Sequence, residues 1–332
     1  MVYRELGNSE IKVSAITFGA WAIGGFMWGG SDEKEAIEAI SHGYDFGVTS
    51  IDTAPIYGMG LSEELVGKAV KGKRNQFQIM TKFGIRWKQQ GTQTEFRSQA
   101  EYDRLMSQIY RTARKESIIE ECENSLRRLG TDYIDYYQHH RPAEDAPVEE
   151  VMEALDRLLD QGKIRAAGVS NYSLEEFKKG EKYLQLEANQ LPYSMVKRDI
   201  EKDMIPYLAD RNKGVIAYSP LQRGVLTGKF KPDFHLAEGD HRKNSRFFKS
   251  ENIRRINAFL DKIQPIAEDH NVTLAQLVLN WTIHQRGITV ALAGARNPRQ
   301  IEENARAADL QLTSYEMNTI NKNLEALELE TE

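Results

Sequence analysis

The sequence predicts an α/β fold, a (β/α)8 TIM barrel with an N-terminal β-hairpin and additional C-terminal helices, built from one domain over residues 1–332. Three observations predict it. Short apolar strand segments alternate eight times with longer amphipathic helix segments, the pattern of parallel strands joined by helical crossovers. Eight strand–helix units are the number that closes into a barrel, and barrels routinely run to ~250 residues or more as one unit. No Pro/Ser linker, low-complexity tract or short repeat divides the 332 residues.

Each element has a local reason. The first dozen residues, turning at Gly7-Asn8, read as a hairpin across one end of the barrel. Residues 16–18 are a short apolar strand ending at Gly19. Asp32 with Glu35 makes a capping box for a helix to Phe46, where Ala36, Ile37, Ala39 and Ile40 recur at helical spacing. Strand 48–52 and helix 62–70 follow, then strand 77–82 and a long polar stretch over 84–113. The remaining units are helix 116–129, strand 133–140, helix 148–160 closed by Gly162, strand 164–169 and a Ser173-capped helix 173–183. Strand 186–189, helix 199–211, strand 215–218, helices 253–270 and 274–285, and strand 289–292 continue the alternation. Helix 298–308 opens on Pro298, which suits a first turn, and helix 313–327 is terminal.

Composition excludes several classes. Lys plus Arg is 44 against 49 Asp plus Glu, a net charge of -5, which argues against nucleic acid as a partner, because phosphate contacts need many cations. The lone Cys122 excludes an internal disulfide and a Cys-rich zinc site, and its helix is flanked by acids that do not favour a thiolate. One cysteine fits a reducing compartment, so a cytoplasmic location is expected. The uncharged run 13–30 contains Gly19, Gly24, Gly25, Gly29 and Gly30. It reads as a buried strand and Gly-rich loop, since a membrane span needs ~20 apolar residues. Arg4, Glu5, Glu10 and Lys12 before it are not the cationic lead of a signal peptide. No membrane partner is therefore expected. No amphipathic heptad suggests a coiled coil, and the oligomeric state stays open.

The rival fold is an open doubly wound sheet, which carries G-x-G-x-x-G after its first strand. Here that strand leads into Gly19-Ala20-Trp21. Gly58-Met59-Gly60 opens a helix, but Glu63 holds the third glycine's position, so it reads as a tight loop.

Catalytic groups of a barrel sit at the carboxyl ends of its strands. Strand two ends at Asp52 with Tyr57 in the following loop, strand three at Lys82, and strand four at His139-His140. Later strands end at Ser170-Asn171, Asn189-Gln190 and Tyr218-Ser219. Alternate strand residues face opposite sides. Ser50/Asp52, Gln78/Met80/Lys82 and Gln138/His140 form one set, whereas Ile51, Phe77/Ile79 and Tyr137 form a more apolar one suited to the outer helices. The first set then points into the mouth, which selects His140 over His139. No H-E-x-x-H spacing exists, and adjacent histidines cannot share a strand face for a metal, so no metal site is expected.

Singly, these residues have bland explanations: a rim ion pair for Asp52 and Lys82, a packing aromatic for Tyr57, a carbonyl-bonded His140. Together they form an acid–base set. A phenol is a weak acid with pKa near ~10, and a neighbouring ammonium lowers that value. A carboxylate keeps the ammonium charged, and a histidine across the site orients a carbonyl oxygen. That suits carbonyl reduction, where oxygen is protonated as hydride reaches carbon.

At these residues the chain resembles the aldo-keto reductase family. "SIDTAPIYGMGLSEELVG" matches its Asp, Tyr-Gly and Ser-Glu pattern, "IMTKFG" its lysine strand and "YIDYYQHHRP" its histidine strand. "GKIRAAGVSNYS", "ANQLPYS", "AYSPLQRGVLTGK" and "AGARNPRQIEEN" match the cofactor segments in order. The opening "GAWAIGGFMWGG" and the His–Pro strand look most like the family's bacterial general-stress branch. The resemblance implies an NADPH-dependent (NADP) reductase of small-molecule aldehydes and ketones, with Tyr57 as proton donor, Lys82 its partner, Asp52 the partner of Lys82, and His140 the orienting residue. It places Ser170, Asn171 and Gln190 on the nicotinamide carboxamide, with Ala20, Trp21 and Asp52 close by, and Tyr218 stacked on the ring. Ser219, Pro220, Leu221, Gln222 and Gly224 would follow the pyrophosphate, with Lys229 and Arg246 as phosphate partners. Gly294, Arg296, Gln300, Glu303 and Asn304 would hold the adenosine end. An Arg at 296 can stack on adenine or fork onto a 2′-phosphate, which favours NADP over NAD.

Trp21, Trp28 and Trp87 are candidates to line the substrate pocket beside Tyr57 and His140. The family often carries an aromatic between its histidine and proline, whereas this chain has Arg141. Two readings of Arg141 stay open: at the mouth it would favour an anionic or phosphorylated carbonyl compound, and otherwise it faces solvent. The stretch 97–115, five basic residues against two acidic, reads as a solvated insertion. Two other classes stay open at this stage: a cofactor-binding regulatory protein with little turnover, and a lyase using Lys82 as a Schiff base.

Overall fold

The structure is a computed structural model that describes residues 1–25, 32–88, 104–235, 242–243 and 245–330. Strands β1 (Tyr3–Glu5) and β2 (Lys12–Ser14) pair antiparallel as the hairpin, and β3 (Ile16–Gly19) starts the barrel. Helix α1 (Glu33–Asp45) is capped by Asp32, whose side chain accepts from the Glu35 backbone at 2.8 Å. The chain continues through β4 (Ser50–Asp52), α2 (Leu61–Val70) and β5 (Gln78–Phe83). A second hairpin follows, β6 (Ile85–Trp87) against β7 (Ile109–Arg111), then α3 (Lys115–Leu129) and β8 (Ile134–His139). Next come α4 (Val148–Asp160), β9 (Ile164–Ser170), α5 (Leu174–Gly180), β10 (Ala188–Pro192), α6 (Met204–Ala209) and β11 (Gly214–Tyr218). Helices α7 (Ser250–Asp269) and α8 (Leu274–Ile283), strand β12 (Ile288–Gly294), and helices α9 (Pro298–Arg306) and α10 (Ser314–Glu325) complete it.

Eight strands close in the order β3-β4-β5-β8-β9-β10-β11-β12, every pair parallel, with β12 returning to β3 through Ile16↔Ala291. The side-chain alternation follows the predicted parity. Met80, Tyr136, Ala166, Ala188, Ile216 and Val290 fill the interior, and Leu6 and Val13 of the first hairpin pack against them. That hairpin plugs one end, so the opposite, carboxyl end is the open one. Ile51, Phe77, Ile79 and Tyr137 lie in the outer layer against the helices.

Two segments differ from expectation. The polar stretch after β5 is not all irregular: Ile85↔Arg111 and Trp87↔Ile109 pair to raise a hairpin beside the mouth. Of the basic stretch 97–115, only the part from Arg104 is described, and Arg111 and Arg114 there are exposed. Helix 199–211 splits into a 3-10 turn, Asp199–Glu201, and α6. Pro206 has no N–H to donate, which costs no helical hydrogen bond when it lies in a helix's first turn. The helix therefore restarts at Met204, whose N–H donates to Asp203 at 2.6 Å.

Among the described residues no helix is long and apolar enough to cross a membrane, and no three His, Cys, Asp or Glu side chains cluster as metal ligands. Cys122 is buried in α3, and that burial pushes its thiol up to about 12.

Candidate active site

Asp52 ends β4 and Lys82 lies one residue before the end of β5, both facing inward by strand parity. Both are buried, at 2% and 0% exposure. Lys82 Nζ donates to Asp52 Oδ1 at 2.6 Å and to the Thr53 carbonyl at 2.8 Å. Gln190 and Gln138 donate their amides to Asp52 Oδ2 at 2.7 and 3.2 Å. The carboxylate thus accepts three donors, which is how a buried charge is kept satisfied.

Tyr57 is held over this pair by backbone packing. Gly58 has φ 66°, and a Cβ there would fall on the Gly24 carbonyl, so the β3 and β4 loops touch main chain to main chain. Lys82 Nζ lies 4.9 Å from the Tyr57 ring centroid, and its charge acts on the phenol. Trp21 stacks on Tyr57 at 6.1 Å and 29°. His140 meets the ring edge-on at 5.9 Å and 87°. Tyr57 and His140 are half-buried at the open end. Neighbouring His139 is excluded from the site. It stacks on Phe83 at 4.9 Å, shares a 2.8 Å hydrogen bond with Tyr172, and burial lowers its pKa to about 3.

The electrostatics correct one expectation. Burial raises the Tyr57 pKa, Lys82 lowers it and Asp52 raises it, so the phenol ends above its ordinary value. The ammonium's pull is real, but the dehydrated site and the adjacent carboxylate outweigh it. Burial likewise raises Asp52 against the pull of Lys82. Lys82 is lowered by burial but raised more by Asp52 and Tyr57 together, so it keeps its charge. His140 is pushed well below its usual value by burial and by Lys82, Arg141, His139 and Arg111. At neutral pH the set is therefore a protonated phenol, an ammonium–carboxylate pair and a neutral imidazole.

A polar array continues around the mouth. Ser170 Oγ donates to the Gln190 carbonyl at 2.9 Å. The Asn171 amide donates to the His140 carbonyl and to Ser170 Oγ, both at 2.9 Å, and its oxygen accepts from the Tyr218 hydroxyl at 2.9 Å. Asn171 holds φ 61°, which turns its side chain across the strand ends. Hydroxyl, amide and carbonyl groups gathered here match the donor and acceptor needs of a carboxamide. Ala20 sits below, its N–H donating to the Asp52 carbonyl at 2.8 Å. After β11, Ser219, Gln222, Arg223 and Gly224 all have positive φ. Such turns make N–H-lined concavities suited to anions. Gln222 Oε1 accepts from Ser194 at 3.1 Å, Pro220 is buried, and Leu221 packs on the core beneath. The residues present thus fit a nicotinamide dinucleotide.

The adenosine-end candidates are set by a clasp between β12 and α9. Asn304 donates to the Gly294 carbonyl at 3.1 Å, and Gln300 Oε1 accepts from the Arg296 N–H at 2.9 Å. Glu303 is engaged by the Thr273 hydroxyl at 2.9 Å. The Arg296 side chain is exposed. Lys229 is exposed, and the Arg246 guanidinium lies 5.0 Å over Phe247. Trp87 packs in the second hairpin with Met59, Leu105 and Ile109. Trp28 lies outside the described residues. Arg141 is exposed beside His140.

Sequence reasoning missed Gln138 and the Thr53 carbonyl as partners of the ion pair. Gln138 shares the inward parity of Met80 and Lys82, so the signal existed. The Thr53 carbonyl left none.

The model of the Aldo/keto reductase family matches residues 15–325. The chain is 38% identical over 328 residues to the aldo-keto reductase YhdN of Bacillus subtilis, covering 98% of this chain and 94% of that one. It is 35% identical to the NADH-specific methylglyoxal reductase of Escherichia coli, covering 97% and 98%. The glycerol dehydrogenase AKR11B4 of Gluconobacter oxydans superposes with a TM-score of 0.87 at 34% identity, covering 98% and 95%. With an eight-stranded barrel carrying a buried Lys–Asp pair beneath a tyrosine, and a family match over nearly its whole length, the chain belongs to the aldo/keto reductase family, oxidoreductases of carbonyl and alcohol groups.

Proposed function

We propose that the chain, as one domain over 1–332, reduces aldehyde or ketone carbonyls of small molecules to alcohols with NADPH, using Tyr57 as proton donor. The reading takes the cytoplasm as its location and invokes neither nucleic acid nor membrane. One observation carries it: Tyr57 is flanked by the buried Lys82–Asp52 pair on one side and His140 on the other.

A nicotinamide bound here would supply the hydride. Ser170, Asn171 and Gln190 would hold its carboxamide, Tyr218 its ring, the 219–224 turn its phosphates, and the 294–304 clasp its adenosine. The protein's own residues manage the proton. Tyr57, kept protonated, donates to the carbonyl oxygen. Lys82 hydrogen-bonds the phenolate that forms and stabilises it electrostatically, and Asp52 keeps Lys82 charged. Neutral His140 retains one N–H that can donate to the same oxygen, fixing its direction. Tyr57→Phe removes the donated proton while keeping the ring, and turnover is expected to fall at least ~10²-fold, as for a positioned acid. Unchanged turnover and pH profile with bound NADPH would reject the assignment.

The choice of NADPH rests on Arg296, whose planar fork suits a 2′-phosphate. The Escherichia coli relative is NADH-specific, so preference within the family turns on local side chains. Arg296→Leu should raise the KM for NADPH more than that for NADH. Equal effects would remove the 2′-phosphate contact.

A further inference from the structure

The mouth above Tyr57 is ringed by cations that the proton chemistry does not use. Arg141 follows His140 at the end of β8, and Arg111 ends β7 in the hairpin that springs from β5. Both are exposed, and neither has an acidic partner among the described residues. Their fields converge on the site: Arg141 and Arg111 act on His140, and Arg141 and Arg223 act on Tyr218. Two carboxylates lie close by and both are engaged: Asp52 by Lys82 and two amides, and Asp145 by the Ala113 N–H at 2.9 Å and by Arg114 at 3.8 Å. Among the described residues, Arg111 and Arg141 are therefore left without an acidic partner at the mouth.

Topology separates Arg111 from the 219–224 turn. The order β5-β8-β9-β10-β11 puts the β5 end across the barrel from β11 and its 219–224 turn. Arg111 rises from the β5 side, and Arg141 stands at the end of β8, where its charge acts on both His140 and Tyr218. A ligand touching both would lie over Tyr57 and His140, where a carbonyl must sit, and not along the turn.

Resting on the reductase reading above, we propose that the substrate is an anionic carbonyl compound whose carboxylate or phosphate is gripped by Arg111 and Arg141 while its carbonyl lies at Tyr57. Guanidinium groups suit either anion through paired N–H donors. The arginines are specificity residues, since they touch a part of the substrate that does not react.

The test compares 4-carboxybenzaldehyde with its neutral methyl ester, and glyceraldehyde 3-phosphate with glyceraldehyde. The full-length enzyme should favour each anion in kcat/KM. Arg141→Gln and Arg111→Gln should each lower the anion-to-neutral ratio about 10-fold, the equivalent of one charge-assisted hydrogen bond. The ratio should also fall with added salt. The two pairs show whether carboxylate or phosphate is the better fit. Tryptophan fluorescence with 4-(hydroxymethyl)benzoate against benzyl alcohol reads the same grip without turnover. A wild type that reduces the neutral members but shows no anion preference overturns this inference and leaves the reductase reading intact. No reduction of any aldehyde, with anion-selective quenching that the arginine variants abolish, supports the grip and rejects that reading. Ratios unmoved in both variants, with only the KM for NADPH raised, assign the arginines to the cofactor and overturn the inference.

Discussion

Replacing Asp52 with Asn isolates the buried pair, because the change keeps shape and removes charge. Asp52 Oδ1 takes the Lys82 ammonium at 2.6 Å, and Oδ2 takes the amides of Gln190 at 2.7 Å and Gln138 at 3.2 Å. An asparagine has one carbonyl oxygen. If that oxygen faces Lys82, the new NH2 meets two amide donors. Gln138 can rotate, since its Oε1 is buried and has no partner, and accept from the new NH2. Gln190 then loses its acceptor, and Lys82 is left as a buried charge without a counterion. Breaking a buried pair this way typically costs ~3–5 kcal/mol. Lys82 should also titrate lower, because Asp52 is the largest influence holding its pKa up against burial. Its charge would then disappear at a lower pH, and with it the support for the Tyr57 phenolate. Urea denaturation should show the stability loss, and the alkaline limb of kcat/KM should move to lower pH. The double variant Asp52→Asn/Lys82→Met should lose less than the sum of the single variants, since the second change removes the stranded charge. A loss below ~1 kcal/mol with an unmoved alkaline limb would refute the reasoning.

Two further predictions concern the frame around the site. Gly58→Ala should destabilise the protein by ~1 kcal/mol or more and lower turnover, since it adds a clash with the Gly24 carbonyl to the usual cost of a positive φ. Gly72→Ala, at φ 79° with nothing within 4 Å, is the control for φ alone, and equal effects on activity would dismiss the close approach as the reason for Tyr57's position. Glu121 receives the Gly84 N–H at 2.9 Å behind the second hairpin, and burial raises its pKa from 4.5 to about 7. A raised carboxyl contributes stability that is present below pH 4.5 and lost as pH rises through 7. Glu121→Gln mimics the protonated form, so its stability relative to wild type should improve across that window by up to about 3 kcal/mol. Thermal melts at pH 5 and pH 8 read it, and a pH-independent difference would contradict the assignment.

Much of this molecule is legible locally. The alternation of strand and helix segments, the Asp32 and Ser173 caps and the eight-fold count depend on residues a few positions apart, and the structure follows them. Strand parity is equally local. It placed Asp52, Lys82 and His140 inward and sent His139 to the outer layer. The cofactor segments had no local fingerprint and were reached through family resemblance, because a run of positive φ at Ser219, Gln222 and Arg223 is not written in residue types that demand it. The β6–β7 pairing spans residues 85 to 111, and no periodicity links its strands. The direction of the Tyr57 shift had to wait for the fold as well. Residue identity shows that an ammonium and a carboxylate sit near the phenol. Only folded distances and lost water decide which term dominates, and here burial outweighs the lysine. Periodicity and capping act over one turn or one pleat and can be read along the chain, whereas desolvation and charge are sums over groups that meet only in three dimensions.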